Sequence, residues 1–339
     1  MSIIVALDAL GGEGGINVTV PAAISSLKRN PNLFIILVGS ENLLRDRLGE
    51  NQDHPRLRIQ NAEQFVEMDE PPSAALRFKK DSSMRIAIDL VNNNEAHACV
   101  SAGNTGALMA TSKFVLKTLP GIDRPGICGV LPRAHGKVRM MDLGASLACP
   151  PSLLYQFGMM ATIIVRYLDG IDQPSIGLLN VGIEDIKGNK DIKDAAELLQ
   201  QSHLNYQGFV EGSDIFTGSV DIIICDGFAG NVALKTSEGL AQMLIEITKE
   251  GFEANFSSKL FGILSKPVLG TIFQRIDHRR YNGATLLGLR GIVVKSHGGA
   301  DSLAYENAID IAYRAVESKV IFHIETELQQ PTLRQQKIN

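Results

Sequence analysis

The sequence predicts a doubly wound α/β sandwich in which helices cover both faces of a largely parallel sheet. Short continuous apolar runs recur along the 339 residues, and helical patterns of apolar residues separate them. Unbroken apolar runs are typical of strands that are buried on both faces. Each run ends at Gly, Asp, Ser, Asn or Lys before the next helical pattern, as the strands of βα units do. We therefore predict one α/β domain over residues 1–328.

The individual elements follow from these runs. The predicted strands are 3–7, 33–38, 98–100, 138–141, 176–179, 220–225 and 292–294. Helical spacing predicts helices at 75–92, 106–119, 151–168, 191–200 and 304–323. The Gln-rich residues 329–339 are predicted to form a flexible tail.

One segment, residues 251–282, does not fit the alternation. Its apolar residues follow helical spacing with a break at Pro267, which predicts a projecting hairpin of two short amphipathic helices. Packing of this hairpin on the core or on a second subunit stays an equal alternative to a binding surface. The residues predicted to contact a membrane or a carrier protein are Phe256, Lys259, Leu260, Leu264, Lys266, Arg275 and Arg279.

Composition excludes several classes of function. A net charge of −4 argues against a general nucleic-acid binder, which needs a basic surplus. The four cysteines show no C-x-x-C spacing, and there is no zinc pattern, Walker A sequence or G-x-S-x-G elbow. We therefore expect no metal and no cofactor. The first residues lack the basic region of a signal peptide, and no apolar stretch is long enough to cross a bilayer, so a cytoplasmic protein is expected.

The candidate site residues lie in Gly-rich turns that follow the predicted strands. Small residues with free backbone N–H groups at a helix start suit an anion, and the carboxyl ends of strands are where such sheets bind ligands. We expect the turns to share one edge of the sheet and form one polar cleft. The predicted phosphate- or substrate-binding residues are Asp8, Gly11, Gly12, Ser101, Gly103, Asn104, Thr105, Gly106, Asn180, Asn189, Asp226, Gly230 and Asn231.

Three of these turns are associated with lysines, and one also has a histidine. Lys187 lies in the turn 180–189, Lys235 follows the turn at 226–230, and Lys295 and His297 lie in the turn 295–301. The position of each lysine is also consistent with an ordinary solvated side chain, and that of His297 with a structural histidine in a turn. We predict these four residues as catalytic candidates.

Segments spread over nearly the whole chain carry a resemblance to a known family. They are 8–12, 68–69, 79–84, 101–110, 119–125, 142–145, 178–189, 226–239 and 295–298. In these segments the chain resembles the bacterial phosphate acyltransferase family, the acyl-acyl-carrier-protein:phosphate acyltransferases of phosphatidic acid synthesis. It departs from the family pattern at Leu10, Glu13 and Ile16 near the start, and at Ser146 and Leu147.

The resemblance implies a Rossmann-like fold related to phosphotransacetylases and isopropylmalate dehydrogenases. It implies a homodimer that binds acyl carrier protein and inorganic phosphate, contacts an anionic membrane surface peripherally, and supplies acyl-phosphate to a glycerol-3-phosphate acyltransferase. We expect the 101–106 turn and Asn231 to hold phosphate. Lys187 is expected to polarise the thioester carbonyl or protonate the leaving thiolate.

Two rival functions remain open at this point. A nicotinamide-dependent dehydrogenase of the related fold would need a nucleotide fingerprint, and G-x-G-x-x-G is missing. A membrane-recruited scaffold would use the 251–282 segment but has no need of polar strand-end turns.

Overall fold

A single eleven-stranded sheet runs through the residues described by the computed structural model, which are 2–218 and 220–329. In chain order the strands are β1 (Ile3–Asp8), β2 (Leu33–Gly39), β3 (Leu57–Asn61), β4 (Ala98–Ser101), β5 (Gly126–Pro132), β6 (Lys137–Met141), β7 (Ser175–Leu179), β8 (Asn205–Val210), β9 (Ile222–Ile224), β10 (Ala284–Leu287) and β11 (Ile292–Lys295). In space they are ordered β3-β2-β1-β4-β11-β10-β5-β6-β9-β7-β8.

Helices cover both faces of this sheet. They are α1 (Ile16–Arg29), α2 (Glu41–Leu48), α3 (Pro72–Phe78), α4 (Ser83–Asn92), α5 (Thr105–Leu116), α6 (Pro151–Ile164), α7 (Lys190–Gln201), α8 (Asp214–Thr217), α9 (Gly227–Glu253), α10 (Phe256–Ile276), α11 (Ser302–Glu317) and α12 (Val320–Gln329). Short 3₁₀ turns occupy Gly49–Asn51 and His278–Tyr281, and a π turn, Val165–Asp169, extends α6.

The sheet consists of two parallel halves that run in opposite directions. Strands β3, β2, β1, β4 and β11 are mutually parallel, and β6, β9, β7 and β8 are mutually parallel. Antiparallel pairing of β11 with β10, of β10 with β5 and of β5 with β6 joins the halves and reverses the direction. The carboxyl ends of the two halves therefore lie at opposite edges, which makes the expectation of one shared edge wrong.

The apolar runs form the core as predicted. Val5, Leu7 and Val100 pack into a cluster on one face of the sheet, and Ala6 and Cys99 pack into a cluster on the other face. Burial on both faces explains why these strands read as continuous apolar runs instead of alternating ones. All seven predicted strands and a mostly parallel sheet are confirmed.

Four strands escaped prediction for local reasons. Strands β5 and β10 contain Gly, Pro or Thr and join the halves in antiparallel pairs. Strands β3 and β8 are the two outermost strands of the sheet and are only partly buried. Two predicted helices are each divided: 75–92 becomes α3 and α4, and 304–323 becomes α11 and α12. Ser82 caps α4 by accepting a bond from the Arg85 N–H, and Lys319 at φ 50° separates α11 from α12.

The predicted hairpin exists, but its helices are longer than expected. Helix α9 begins at Gly227, and α10 continues through Pro267 without the predicted break. Proline removes one backbone donor, and the structure shows that the rest of α10 retains its helical conformation around that loss. Among the described residues no helix is both long and apolar enough to span a membrane. From residue 330 onward the predicted tail 329–339 lies outside the described residues.

Candidate active site

A cavity of about 970 Å³ opens between the sheet and the α9–α10 hairpin. Strand β5 contributes one wall from Ile127 to Pro132, and α9 contributes another from Gly227 to Leu244. This volume is in the range of small-molecule binding sites. Turns at both edges of the sheet reach the cavity, because α9 starts beside the end of β6 and crosses β5 and β6 towards the end of β11.

The polar part of the cavity lies at the carboxyl end of β11. Lys295 is partly buried there and donates to the backbone oxygens of Ala102, at 3.3 Å, and Ser296. Burial, with a smaller effect from the positive charge of Lys235, lowers the pKa of Lys295 to about 8. Among the described residues Lys295 has no carboxylate within ion-pair distance, and it lines the cavity, so it is available to an anion that enters.

A second charged cluster lies beside Lys295. The Nζ atom of Lys235 is 2.9 Å from Nε2 of His297 and 2.8 Å from Oε2 of Glu238. Nε2 of His297 is 3.6 Å from the same carboxylate oxygen. Asn282 fixes the His297 backbone by accepting its N–H at 2.9 Å. The turn after β11, the segment before β10 and one face of α9 therefore bring four polar side chains together.

Asp8 lies beneath this part of the cavity and organises its turns. Its buried carboxylate accepts bonds from the hydroxyls of Ser83 and Ser101, both at 2.6 Å, and from the Gly11 N–H at 3.1 Å. Burial raises the pKa of Asp8, and these hydrogen bonds oppose the rise. The Ser101 hydroxyl also accepts the Gly103 N–H, so both its hydrogen and one of its lone pairs are used within this network. Asp8 and Ser101 thus support the cavity without lining it.

Asp142 organises the turn at the other edge of the sheet in the same way as Asp8 does at its edge. Its buried carboxylate accepts four backbone N–H groups, including those of Ile127 at 2.9 Å and Ser146 at 2.7 Å. Burial raises the pKa of Asp142. The start of α9 packs directly on this turn, because a Cβ at Gly230 would collide with the Asp142 carbonyl oxygen. Asn231 lies one residue further along and lines the cavity.

Several predicted binding residues are helix caps or close-packed glycines. Asn104 caps α5, Asn189 caps α7 and Asp226 caps α9, each by accepting a backbone N–H at 2.7–2.9 Å. Asn180 donates to the Gly182 carbonyl. Five of the predicted glycines do not line the cavity, and at each of them a Cβ would meet a close neighbour. They are Gly11, Gly12, Gly103, Gly106 and Gly230.

Five of the predicted phosphate-binding and catalytic residues do meet in the cavity. They are Thr105, Asn231, Lys235, Lys295 and His297. Lys187 does not: it lies in the exposed loop 180–189 and is absent from the cavity lining. The loop follows β7, which lies beside β9, so it emerges at the edge where α9 begins.

The rest of the cavity lining is mostly apolar. Side chains from β5, the turn after β6, α8 and both hairpin helices surround this part. They include Leu131, Leu143, Leu147, Phe216, Phe228, Leu240, Leu244 and Ile272. A site with a charged end and a large apolar remainder suits a ligand that has a polar head and a hydrocarbon chain.

The predicted contact residues of the hairpin divide into three groups. Phe256, Leu260 and Leu264 are exposed by 85%, 52% and 68%, and Lys259 and Lys266 are exposed beside them. Arg275 lines the cavity instead. Arg279 is paired with Asp277 at 2.7 Å and Asp301 at 2.9 Å, so its charge is largely neutralised.

Comparison with known proteins identifies the family. Residues 3–323 match the family model described as fatty acid synthesis protein. The phosphate acyltransferase of Methylococcus capsulatus is 54% identical over 318 residues, which cover 93% of this chain and 94% of that protein. The chain belongs to the phosphate acyltransferase family. A second member, from Nitrosococcus oceani, is 53% identical over 331 residues and covers 97% of both chains.

Solved structures of low identity share the fold of this phosphate acyltransferase family member. The EutD phosphotransacetylase from Staphylococcus aureus has a TM-score of 0.61 at 14% identity, covering 93% of this chain and 94% of that one. A phosphotransacetylase from Streptococcus pyogenes has a TM-score of 0.60 at 18% identity, with the same coverage. The resemblance and the α/β/α fold that it implied are confirmed.

Sequence reasoning missed several polar residues of the cavity: Glu13, Ser237, Glu238, Asn282 and Ser296. Glu238 lies three residues after Lys235 on α9, a spacing at which helical side chains meet. That spacing, and the position of Glu238 in the segment 226–239 that carries the family resemblance, are the two signals in the sequence that pointed to it.

Proposed function

We propose that this acyltransferase moves a fatty acyl group from acyl carrier protein to inorganic phosphate, giving acyl-phosphate for phospholipid synthesis. The observation that carries the proposal is the cavity, in which Lys295, Lys235 and His297 lie at the head of a large apolar space. The cations suit a phosphate dianion, and the apolar side chains suit an acyl chain. Membership of the phosphate acyltransferase family supports the same reaction.

Phosphate needs no covalent acyl-enzyme, because its oxygen can attack the thioester carbonyl directly. The new C–O bond forms as the C–S bond breaks, and the leaving thiolate takes a proton. Holding the dianion beside the carbonyl can lower the activation barrier by roughly 7–11 kcal/mol. One well-placed hydrogen-bond donor to the oxyanion can lower it by roughly 3–4 kcal/mol more. We assign phosphate binding to Lys295, Lys235 and His297, with Thr105 and Asn231 as further donors.

Lys187 retains its proposed role at the thioester only if the loop 180–189 moves. Val181, Ile183 and Ile186 in this loop are exposed by 78%, 65% and 82%. Burying such side chains is favourable, and exposed apolar side chains of Leu147 and Phe228 border the cavity at this edge of the sheet. We propose that the loop closes on these residues when the acyl chain is bound, and that closure brings Lys187 to the carbonyl or the leaving sulfur.

The exposed part of α10 supports a peripheral contact with an anionic membrane. Its apolar side chains lie beside Lys259 and Lys266, a combination that binds at the lipid–water interface. Such contact would deliver acyl-phosphate to a glycerol-3-phosphate acyltransferase in the membrane. We also propose a cytoplasmic location and a homodimer, the latter testable by light scattering on the purified protein.

The decisive experiment combines acyl carrier protein thioester, inorganic phosphate and hydroxylamine. Acyl-phosphate reacts with hydroxylamine to give a hydroxamate, so hydroxamate should form in proportion to enzyme and only when phosphate is present. Substitution of Lys295 by Met should abolish it. Phosphate-independent release of free fatty acid would refute the proposal, because it would show a thioesterase. A rise in melting temperature with NAD(H) instead would favour the dehydrogenase.

A further inference from the structure

The apolar part of the cavity follows strand β5 away from Lys295. Ile127 and Leu131 line it and belong to the same buried cluster on one face of the sheet. Gly129, between them, also lines the cavity, and a Cβ there would lie 3.6 Å from the Cβ of Ala284. Ala284 is paired with Lys295 across β10 and β11, so both small residues lie level with the charged end of the cavity. The first carbons of an acyl chain therefore have room beside the cations.

The cavity extends from this level to the turn after β5. One strand, β10, separates β11 from β5, and Gly129 precedes Pro132, the last residue of β5, by three positions. With neighbouring strands about 4.8 Å apart and about 3.3 Å per residue, the backbones of Lys295 and Pro132 are roughly 14 Å apart. The lining continues to Ala134 in the turn that follows. A path of this length suits the hydrocarbon of a fatty acid.

Helix α8 and the turn after β5 lie at the far end of this path. The Ala134 N–H donates to the Phe216 carbonyl oxygen at 3.0 Å. The Arg133 guanidinium donates to the Val220 carbonyl oxygen at 2.6 Å and pairs with Asp221 at 3.8 Å. These contacts tie the turn to α8 and to the segment after it. Phe216, which lines the cavity, therefore stands on an anchored backbone.

The opposite end of the cavity suits a hydrocarbon chain less well. Leu147 and Phe228 at that end are exposed by 76% and 64%, against 40% for Phe216 and 4% for Leu131. An apolar chain is stabilised most where its surface is removed from water most completely. The open end is also the one on which the loop 180–189 is proposed to close. The chain is therefore expected to run towards Phe216.

We propose that Phe216 ends the acyl site and limits the length of the acyl chain that the enzyme accepts. This inference rests on the proposed function and deepens it by naming a specificity-determining residue. The charged end at Lys295 holds phosphate and the thioester, the chain lies along β5 beneath α9, and its last carbons contact the Phe216 ring. Phe216 touches no reacting atom, so it affects the choice among chains and not the chemistry.

The direct test uses the wild-type protein and an acyl carrier protein thioester whose fatty acyl chain carries a diazirine at its last carbon. Ultraviolet light converts the diazirine into a carbene, which inserts into the side chains that it touches. Peptide mapping should place the label on Phe216 or on the turn at 133–134. A label at Leu147 or Phe228 would overturn the proposal without recourse to any variant.

Chain-length profiles of two Phe216 variants give the second test. Phe216→Ala makes room for further methylenes, each worth roughly fourfold in binding, so the kcat/KM ratio of stearoyl to myristoyl thioester should rise about tenfold over the wild-type ratio. Phe216→Trp should lower the same ratio. A merely structural role would change both thioesters alike, so an unchanged ratio in both variants would overturn the proposal.

Phe322→Ala is the matched control, because Phe322 is exposed by 60% on α12 and does not line the cavity. Its stearoyl to myristoyl ratio should equal that of the wild type. If the wild-type protein forms hydroxamate from none of the thioesters, the proposed function is refuted. Normal hydroxamate formation with an unchanged ratio refutes only the assignment of Phe216. The two failures are therefore distinguishable.

Discussion

Replacing Lys295 with Met should increase stability at neutral pH while it abolishes phosphate binding. The pKa of Lys295 falls from 10.5 in the unfolded chain to about 8 in the folded protein. Since each pKa unit corresponds to about 1.4 kcal/mol, carrying this charge costs the folded state about 3 kcal/mol at pH 7. Loss of the bonds to Ala102 and Ser296 offsets about 1–2 kcal/mol of that gain. We expect Lys295→Met to be more stable by about 1–2 kcal/mol.

The pH dependence follows from the direction of the pKa change. Between about pH 8 and 10.5 the unfolded wild type binds more protons at Lys295 than the folded protein does. The contribution of Lys295 to stability therefore rises with pH across this window, and Lys295→Met should lack that rise. Urea unfolding at pH 7 and pH 9.5, with the hydroxamate assay beside it, measures both effects. A variant that is less stable at pH 7, or that retains normal KM for phosphate, would refute this account of the buried cation.

Three further changes test other parts of the structure. Gly230→Ala should destabilise by about 1–3 kcal/mol because the new Cβ meets a backbone oxygen, whereas Gly239→Ala, in open space on the same helix, should stabilise by up to about 1 kcal/mol; urea unfolding of both decides, and equal effects would contradict the close packing. Leu260→Glu combined with Leu264→Glu should abolish sedimentation with anionic liposomes but retain hydroxamate formation; unchanged liposome binding would point to a dimer contact. Lys187→Ala should lower hydroxamate formation at least about a hundredfold with an unchanged unfolding curve, as expected of a donor at the oxyanion, and near-normal turnover would remove Lys187 from the mechanism.

The sequence predicted the parallel strands well because burial on both faces of a sheet requires continuous apolar runs, which are visible in the sequence. Strand β1 has apolar residues at every position from Ile3 to Leu7, so its run is visible without any partner. Strand β5 has no continuous apolar run, since it contains Gly126, Gly129 and Pro132, and its position in the sheet depends on pairing with its antiparallel neighbours. The reversal of direction at β10 and β5 was invisible for the same reason, and with it the fact that two edges of the sheet supply the site.

The candidate site was predictable in its residue types more than in its geometry. Lys295 ends β11, His297 lies in the Gly-rich turn that follows it, and Lys235 lies on α9 after the Gly-rich turn at 226–230. All three reach one cavity. The same pattern also selected Asn104, which is a cap, because Ser, Asn and Asp at a helix start serve backbone N–H groups as readily as ligands. Only the three-dimensional arrangement separates the two uses.

The strand order has a consequence for synthesis on the ribosome. In the described part of the sheet, β11 and β10 link β4 to β5, and they are synthesised after the other nine strands. Until residues 284–295 emerge, β4 and β5 each have an unpaired edge that invites pairing with other chains. The nascent polypeptide is therefore expected to depend on chaperones until residues 284–295 are synthesised, and truncation before residue 284 should yield aggregates.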